Sequence, residues 1–257
     1  MKEKTLFIAI STQKGGAGKT ALTVLLSSYL HYSQGYNVAI VDCDYPQYSI
    51  NGMRLRDKQS VTEDPYYKSL FYRQCKNLNK KAYPIEVSRT TEAIETAERI
   101  IQESEVPLDF IFFDLPGTMN AKGVLSTLAQ MDHIITPITA DRMVLESSLE
   151  YAGLINEQII TTGKGNIKSL HLLWNMVDGR ESNHLYGVYE LVIAELGLQI
   201  MKSFVPDTKR FRHEITTEHK AIFRSTLLPA DKRLIKGSQL DQVTDEFLSI
   251  VKGGSNG

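Results

Sequence analysis

Cysteine is scarce: only Cys43 and Cys75 occur in 257 residues, with no Cys-x-x-Cys and no histidine pair at ligand spacing. This argues against a disulfide framework or a zinc site and points to a reducing cytoplasm. Long apolar runs are missing as well. None approaches the roughly 18 residues a membrane span needs, and the run Leu6 to Ile10 is broken by Ser11 to Lys14, too early for a secretory signal. The expectation is a protein neither secreted nor membrane-spanning. Charge of one sign is absent overall, with 29 Lys+Arg against 30 Asp+Glu, and low-complexity linkers and internal repeats are absent too.

What is present is an ordinary globular composition, 42% hydrophobic and 23% charged. A chain of this size is expected to bury roughly 73% of its unfolded surface, which supports one domain over residues 1–252, followed by a disordered small-residue tail at 253–257. The near-neutral total hides two basic stretches. Residues 54–89 and 201–236 each carry nine Lys/Arg against four Asp/Glu, leaving the rest strongly acidic. Such stretches are either solvated faces or a surface for an anionic polymer.

Short β-rich runs alternate with helical periods. Leu6–Ile10, Val38–Val41, Phe110–Phe113, Ile134–Ile138, Leu170–Met176 and Ile200–Val205 read as strands, most of them apolar throughout, as parallel strands covered on both faces should be. Leu22, Leu25, Leu26, Tyr29 and Leu30 form a helical stripe that Gly35 is placed to end. Leu185, Val188, Val192 and Leu196 form another, and Leu240, Val243, Phe247 and Val251 a third, behind a capping-box pattern at Ser238 and Asp241. The fold class predicted is α/β, a mainly parallel sheet flanked by helices. Residues 52–92, polar, basic and aromatic, read as an elaboration with one short strand at Tyr83–Val87.

The first strand runs into Gln13-Lys14-Gly15-Gly16-Ala17-Gly18-Lys19-Thr20, and a helix follows. Glycines there let backbone amides face phosphate oxygens, the helix N-terminus adds positive potential, Lys19 reaches the phosphates and the Thr20 hydroxyl is a magnesium ligand. The ordinary phosphate loop has glycine where this chain has Gln13, and Lys14 is an additional lysine. Strand ends supply the carboxylates a phosphoryl-transfer site needs, in Asp42-Cys43-Asp44-Tyr45-Pro46-Gln47 and Asp114-Leu115-Pro116-Gly117.

Lys14-Gly15-Gly16-Ala17-Gly18-Lys19-Thr20 resembles the deviant Walker A motif of the ParA/MinD family of partition and positioning ATPases, most closely its ParA-type members. The resemblance implies a P-loop NTPase fold of the SIMIBI type and a slow, Mg²⁺-dependent hydrolysis of ATP. It also implies a homodimer that sandwiches ATP, with Lys14 crossing to the partner's nucleotide. By the same resemblance Lys14, Lys19 and Asp44 are catalytic, with Asp44 placing the attacking water. Gly15, Gly16, Ala17, Gly18, Thr20 and Ala21 complete the phosphate site, and Thr20, Asp42 and Asp114 hold Mg²⁺, the two carboxylates through water. Tyr45 is an extra residue in the family's usual Asp-x-Asp-Pro-Gln and is placed to shift Asp44.

Trp174-Asn175-Met176-Val177-Asp178 resembles the family's base-contacting segment, with Asn175, Pro206 and Asp207 beside the base; it is also one residue from a guanine-specific motif, and residue chemistry alone does not choose the purine. Partition members bind DNA without sequence specificity, which makes Lys209, Arg210, Arg212, Lys220 and Arg224 DNA-binding candidates. A DNA-site-binding adaptor is the implied partner. The Tyr45 variant looks most like the ParA-like proteins of conjugative transposons. The last helix carries Asp241, Asp245 and Glu246 rather than a basic face, so MinD-like membrane binding is not expected. No cysteine follows Asp114, which excludes an iron–sulfur relative. The alternatives are a nucleotide-dependent binding switch with little hydrolysis and a metabolic ATP- or GTP-using enzyme on the same fold.

Overall fold

A computed structural model describes residues 4–119, 121–180 and 183–253. Seven strands form one sheet in the order β3-β2-β4-β1-β5-β6-β7, with every pairing parallel. They are β1 (Leu6–Ile10), β2 (Val38–Asp42), β3 (Ile85–Val87), β4 (Phe110–Asp114), β5 (His133–Ile138), β6 (Ser169–Trp174) and β7 (Gln199–Ile200). The helices are α1 (Lys19–Tyr32), α2 (Ser49–Glu63), α3 (Pro65–Leu78), α4 (Ala93–Glu103), α5 (Val124–Leu128), α6 (Arg142–Ile155), α7 (Asn183–Glu195), α8 (Lys232–Ile235) and α9 (Leu240–Gly253).

Alternate strand residues feed two cores. Ile8, Ile10, Ile40, Phe110 and Phe112 pack toward α1 and α9, while Ala9, Val41, Ile111, Phe113 and Ile134 pack toward α4, α5 and α6. Burial on both faces explains why the central strands are apolar without alternation. Among the described residues no helix is long and apolar enough to cross a membrane.

Four local expectations change. Residues 52–92 hold two long helices beside the short strand. Helix α2 buries Ile50, Met53, Arg54, Asp57 and Val61, a helical spacing in which two of the five inward residues are charged. Apolar periodicity therefore understates it. Helix α7 forms, but Val188, Val192 and Leu196 are exposed, while Ile193 is buried and Tyr186 and Tyr189 pack on the core, Tyr186 edge-on to Trp174 at 4.9 Å. The large rings take the covering role at this edge of the sheet.

The strand expected over Ile200–Val205 is reduced to Gln199–Ile200, because the Lys202 and Ser203 amides donate to the Glu246 carboxylate of α9, both at 2.7 Å. Pairing resumes where Val177 meets Pro206. At the start of α9, Ser238 accepts from Leu240, two residues on, rather than in a capping box. Gly253 closes α9, and residues 254–257 of the expected tail lie outside the described residues.

Candidate nucleotide site

The C-terminal ends of β1, β2, β4 and β6 converge on the loop between β1 and α1. Its base is fixed by buried hydroxyls: Tyr151 donates to Ser11 at 2.6 Å, and Thr12 shares a 3.0 Å hydrogen bond with Ser148. Neither α6 residue was singled out in the sequence, where nothing but helical position marks them. Gly16 and Gly18 adopt φ of +83° and +88°, left-handed backbone that side chains resist. At Gly18 a Cβ would also collide with the Asn175 amide. Gly15 and Gly16 face open space.

The two lysines of the loop differ. Lys19 lies where α1 begins, its Nζ donating to the Lys14 carbonyl at 3.4 Å, and a Cβ on Gly117 would sit 3.0 Å from that Nζ. Gly117 thus leaves room for the ammonium beside the Asp114-Leu115-Pro116 turn, a role that its place after Asp-x-Pro foreshadows. Burial lowers the Lys19 pKa, and Asp114 and Asp44 oppose the shift. The Lys14 side chain is exposed and has no hydrogen-bond or ion-pair partner among the described residues.

Asp42 and Asp114 pair side by side at the ends of β2 and β4. Thr20 Oγ1 donates to Asp114 Oδ2 at 2.9 Å, while Asp114 Oδ1 is buried without a partner among the described residues. Burial pushes the Asp114 carboxyl up to about 7, with Asp42 and Asp44 adding repulsion against the Thr20 hydrogen bond. Asp42 is raised by burial too, and its Oδ2 accepts the Asn51 amide of α2 at 2.9 Å, so it also anchors the start of that helix. Asp44 is raised by burial and held back by Lys19. Tyr45 beside it is 65% exposed and edge-on to Tyr48 at 5.8 Å.

These residues fit magnesium with a nucleotide. Among the described residues no three His, Cys, Asp or Glu form a cage of their own, yet Thr20 and the orphaned Asp114 oxygen share one end of the loop. Magnesium usually takes one or two protein oxygens and completes its shell with phosphate and water.

Asn175, buried at the end of β6, donates from Nδ2 to the Ala17 carbonyl at 2.7 Å, and its own amide donates to Ile138 at 2.8 Å. It therefore braces the loop, which its place in a base-contacting motif did not reveal. Pro206 and Asp207 lie beside Val177, whose carbonyl accepts the Asp207 amide at 2.8 Å. Ala21 follows Thr20 in the first turn of α1.

The five cations of the last third divide. Lys209 and Arg212 are exposed without ion-pair partners among the described residues. Arg210 donates to the Leu234 and Lys236 carbonyls, at 3.5 and 2.5 Å. Arg224 clamps Glu214 at 2.6 Å, and Lys220 pairs with Glu218.

A sequence profile of the CobQ/CobB/MinD/ParA nucleotide binding domain matches residues 8–220. The chain is 26% identical, over 195 residues, to the chromosome-partitioning ATPase Soj of Thermus thermophilus, covering 70% of this chain and 73% of that protein. Its fold is similar to a putative plasmid partition protein of Borrelia burgdorferi bound to AMPPNP (TM-score 0.59, 16% identity, 96% and 99% of the two chains). A cobyrinic acid a,c-diamide synthase of Mycobacterium smegmatis with an ATP analogue and magnesium is also similar (TM-score 0.57, 17% identity, 98% and 97%).

Proposed function

The chain belongs to the CobQ/CobB/MinD/ParA nucleotide-binding family, and from that premise we propose that it is a cytoplasmic ParA-like ATPase of DNA partition or mobile-element maintenance. ATP lies along the loop from Gly15 to Ala21, Lys19 neutralises its phosphates, and Asn175, Pro206 and Asp207 flank the base. Thr20, Asp42 and Asp114 would together hold magnesium. Bound there, the metal would offset phosphate charge as the terminal phosphoryl group transfers to water. Asp44 orients that water. The observation that carries the reading is the contrast between the loop lysines: Lys19 is engaged within its own site, whereas Lys14 is exposed and uncommitted, free to reach a nucleotide across a homodimer.

The dimer then binds DNA without sequence specificity and meets a DNA-site-binding adaptor. Lys209 and Arg212 are the cations available for phosphate contact; Arg210, Arg224 and Lys220 have intramolecular partners. The test is fluorescence anisotropy of a generic duplex across a salt series, with and without ATP and Mg²⁺. Binding that needs ATP and weakens with salt supports the proposal; no binding at low salt with nucleotide loaded overturns it. One observation favours a second reading, a nucleotide-dependent protein-binding switch with little hydrolysis: the extra Tyr45 projects into solvent beside the water-orienting Asp44.

A further inference from the structure

Helix α3 and the segment 219–233 enclose a cavity of about 850 Å³, remote from the phosphate loop. The two basic stretches of the sequence, 54–89 and 201–236, meet here. Val61 and Tyr67 from the first pack with Ile222, Leu227 and Leu228 from the second, in a small core of their own. Four cations and one carboxylate line the cavity. Of the cations, Arg233 is held by Asp231 and Lys220 by Glu218. Arg73 and Lys232 are exposed and form no ion pair among the described residues.

The opposite need, a flat apolar ligand part, is met in the same cavity. The Tyr66 ring stacks on His219 with centroids 4.4 Å apart and planes at 27°, and Tyr66 is 44% exposed. His219 has φ of +53° and is fixed by a 2.7 Å contact to Asp64. A non-glycine residue is held in that conformation only by its surroundings. In the wall, Gln74 donates from Nε2 to the Leu227 carbonyl at 2.9 Å, while its Oε1 is buried without a partner among the described residues. An orphaned acceptor of this kind is costly unless something donates to it.

We propose that this cavity is a second ligand site that takes one nucleotide unit, a nucleobase with its phosphate. The phosphate pairs with Arg73 and Lys232, the base lies against the Tyr66–His219 stack, and an N–H of the base edge donates to Gln74. The volume is that of a small-molecule pocket. A nucleotide unit has two sources, a free nucleotide or an unpaired base in a strand. The inference goes beyond the ATPase reading and does not depend on it.

The test uses the full chain carrying Lys19→Ala, so that binding at the phosphate loop is removed and read separately from the difference in ATP binding to the unsubstituted protein. Calorimetry with 5′-AMP and 5′-GMP, and anisotropy with labelled single-stranded (dA)6, measure the second site. Ribose 5-phosphate and a short duplex are the controls. We expect one of the first two probe classes to bind. Adding Arg73→Ala and Lys232→Ala should weaken it about tenfold or more, and Tyr66→Ala should weaken it by about fivefold or more while Tyr66→Phe does not.

Mononucleotide binding identifies a free ligand, and binding of (dA)6 alone identifies a strand. The proposal is overturned if neither probe binds up to millimolar concentration, if the cation variants bind equally well, or if ribose 5-phosphate or the duplex binds as tightly. The substituted cavity side chains, Tyr66, Arg73 and Lys232, are exposed, and a thermal melt of each variant establishes that it is folded.

Discussion

Lys14 and Lys19 lie on one loop in opposite environments, and their substitutions should separate two properties. Lys19→Ala removes the cation that burial, Asp114 and Asp44 surround, and calorimetry should detect no ATP binding. Lys14→Ala should leave monomer binding intact but abolish ATP-dependent dimers in light scattering; dimers of unchanged yield would refute the crossing lysine. Gly18→Ala combines a left-handed backbone, worth about 1–2 kcal/mol, with a collision against Asn175. It should lower both stability in urea and affinity for ATP. Asp44→Ala should trap the ATP-bound dimer, and deletion of Tyr45 should raise phosphate release above that of the unaltered chain. Equal turnover in both variants would move the water-orienting role elsewhere.

Between elements, a seam of hydrogen-bonded charge lies under α2. Buried Asp57 Oδ2 accepts from the Thr226 amide and hydroxyl, both at 2.7 Å, and from the Ser225 hydroxyl at 3.0 Å. Arg54 donates to that same Thr226 hydroxyl and to the Thr226 and Tyr83 carbonyls, each at 3.0 Å. Asp57→Ala leaves the buried Thr226 amide and Ser225 hydroxyl without their acceptor and should cost about 1–3 kcal/mol per orphaned donor in urea unfolding, whereas Asp57→Asn, which keeps an acceptor oxygen, should cost less.

His31 in α1 offers a pH-dependent case. Burial lowers its pKa to about 4, so between its ordinary 6.5 and 4 the unfolded chain binds more protons than the folded one. Stability should fall by up to about 3 kcal/mol across that interval as acid is added. His31→Gln should flatten that part of the urea-midpoint profile.

This scale also shows what the sequence made legible. Strands β1, β2, β4 and β5 were readable because burial on both faces demands apolar residues at every position. Helix α2 was not, since Arg54 and Asp57 occupy its inward face. The phosphate loop was readable because its backbone requires glycine at fixed places. The brace from Asn175 to Ala17 was not, because it joins residues 158 apart and looks in the sequence like a base contact alone.

For the molecule as a whole, the two basic stretches of the sequence also meet in space. The stretches 54–89 and 201–236 meet through the small core of Val61, Tyr67, Ile222, Leu227 and Leu228. Their sum was visible in the sequence, but their convergence was not, since composition says nothing of which segments touch. If DNA is held through phosphate neutralisation by Lys209 and Arg212, replacing both with alanine should reduce the slope of log affinity against log salt by about two for each protomer in contact, about four for the dimer, with little change in sequence preference. An unchanged slope would assign the contacts to other cations.

The same seam has a kinetic side. Thr226 is translated roughly 150 residues after α3 ends, and until then Arg54 and Asp57 have no partner in Ser225 or Thr226. At synthesis rates of about 5–20 residues per second, α2 and α3 spend roughly 7–30 s outside the ribosome with that face open. A nascent chain halted before residue 226 should therefore be cut by protease within α2 and α3, and one released after it should resist.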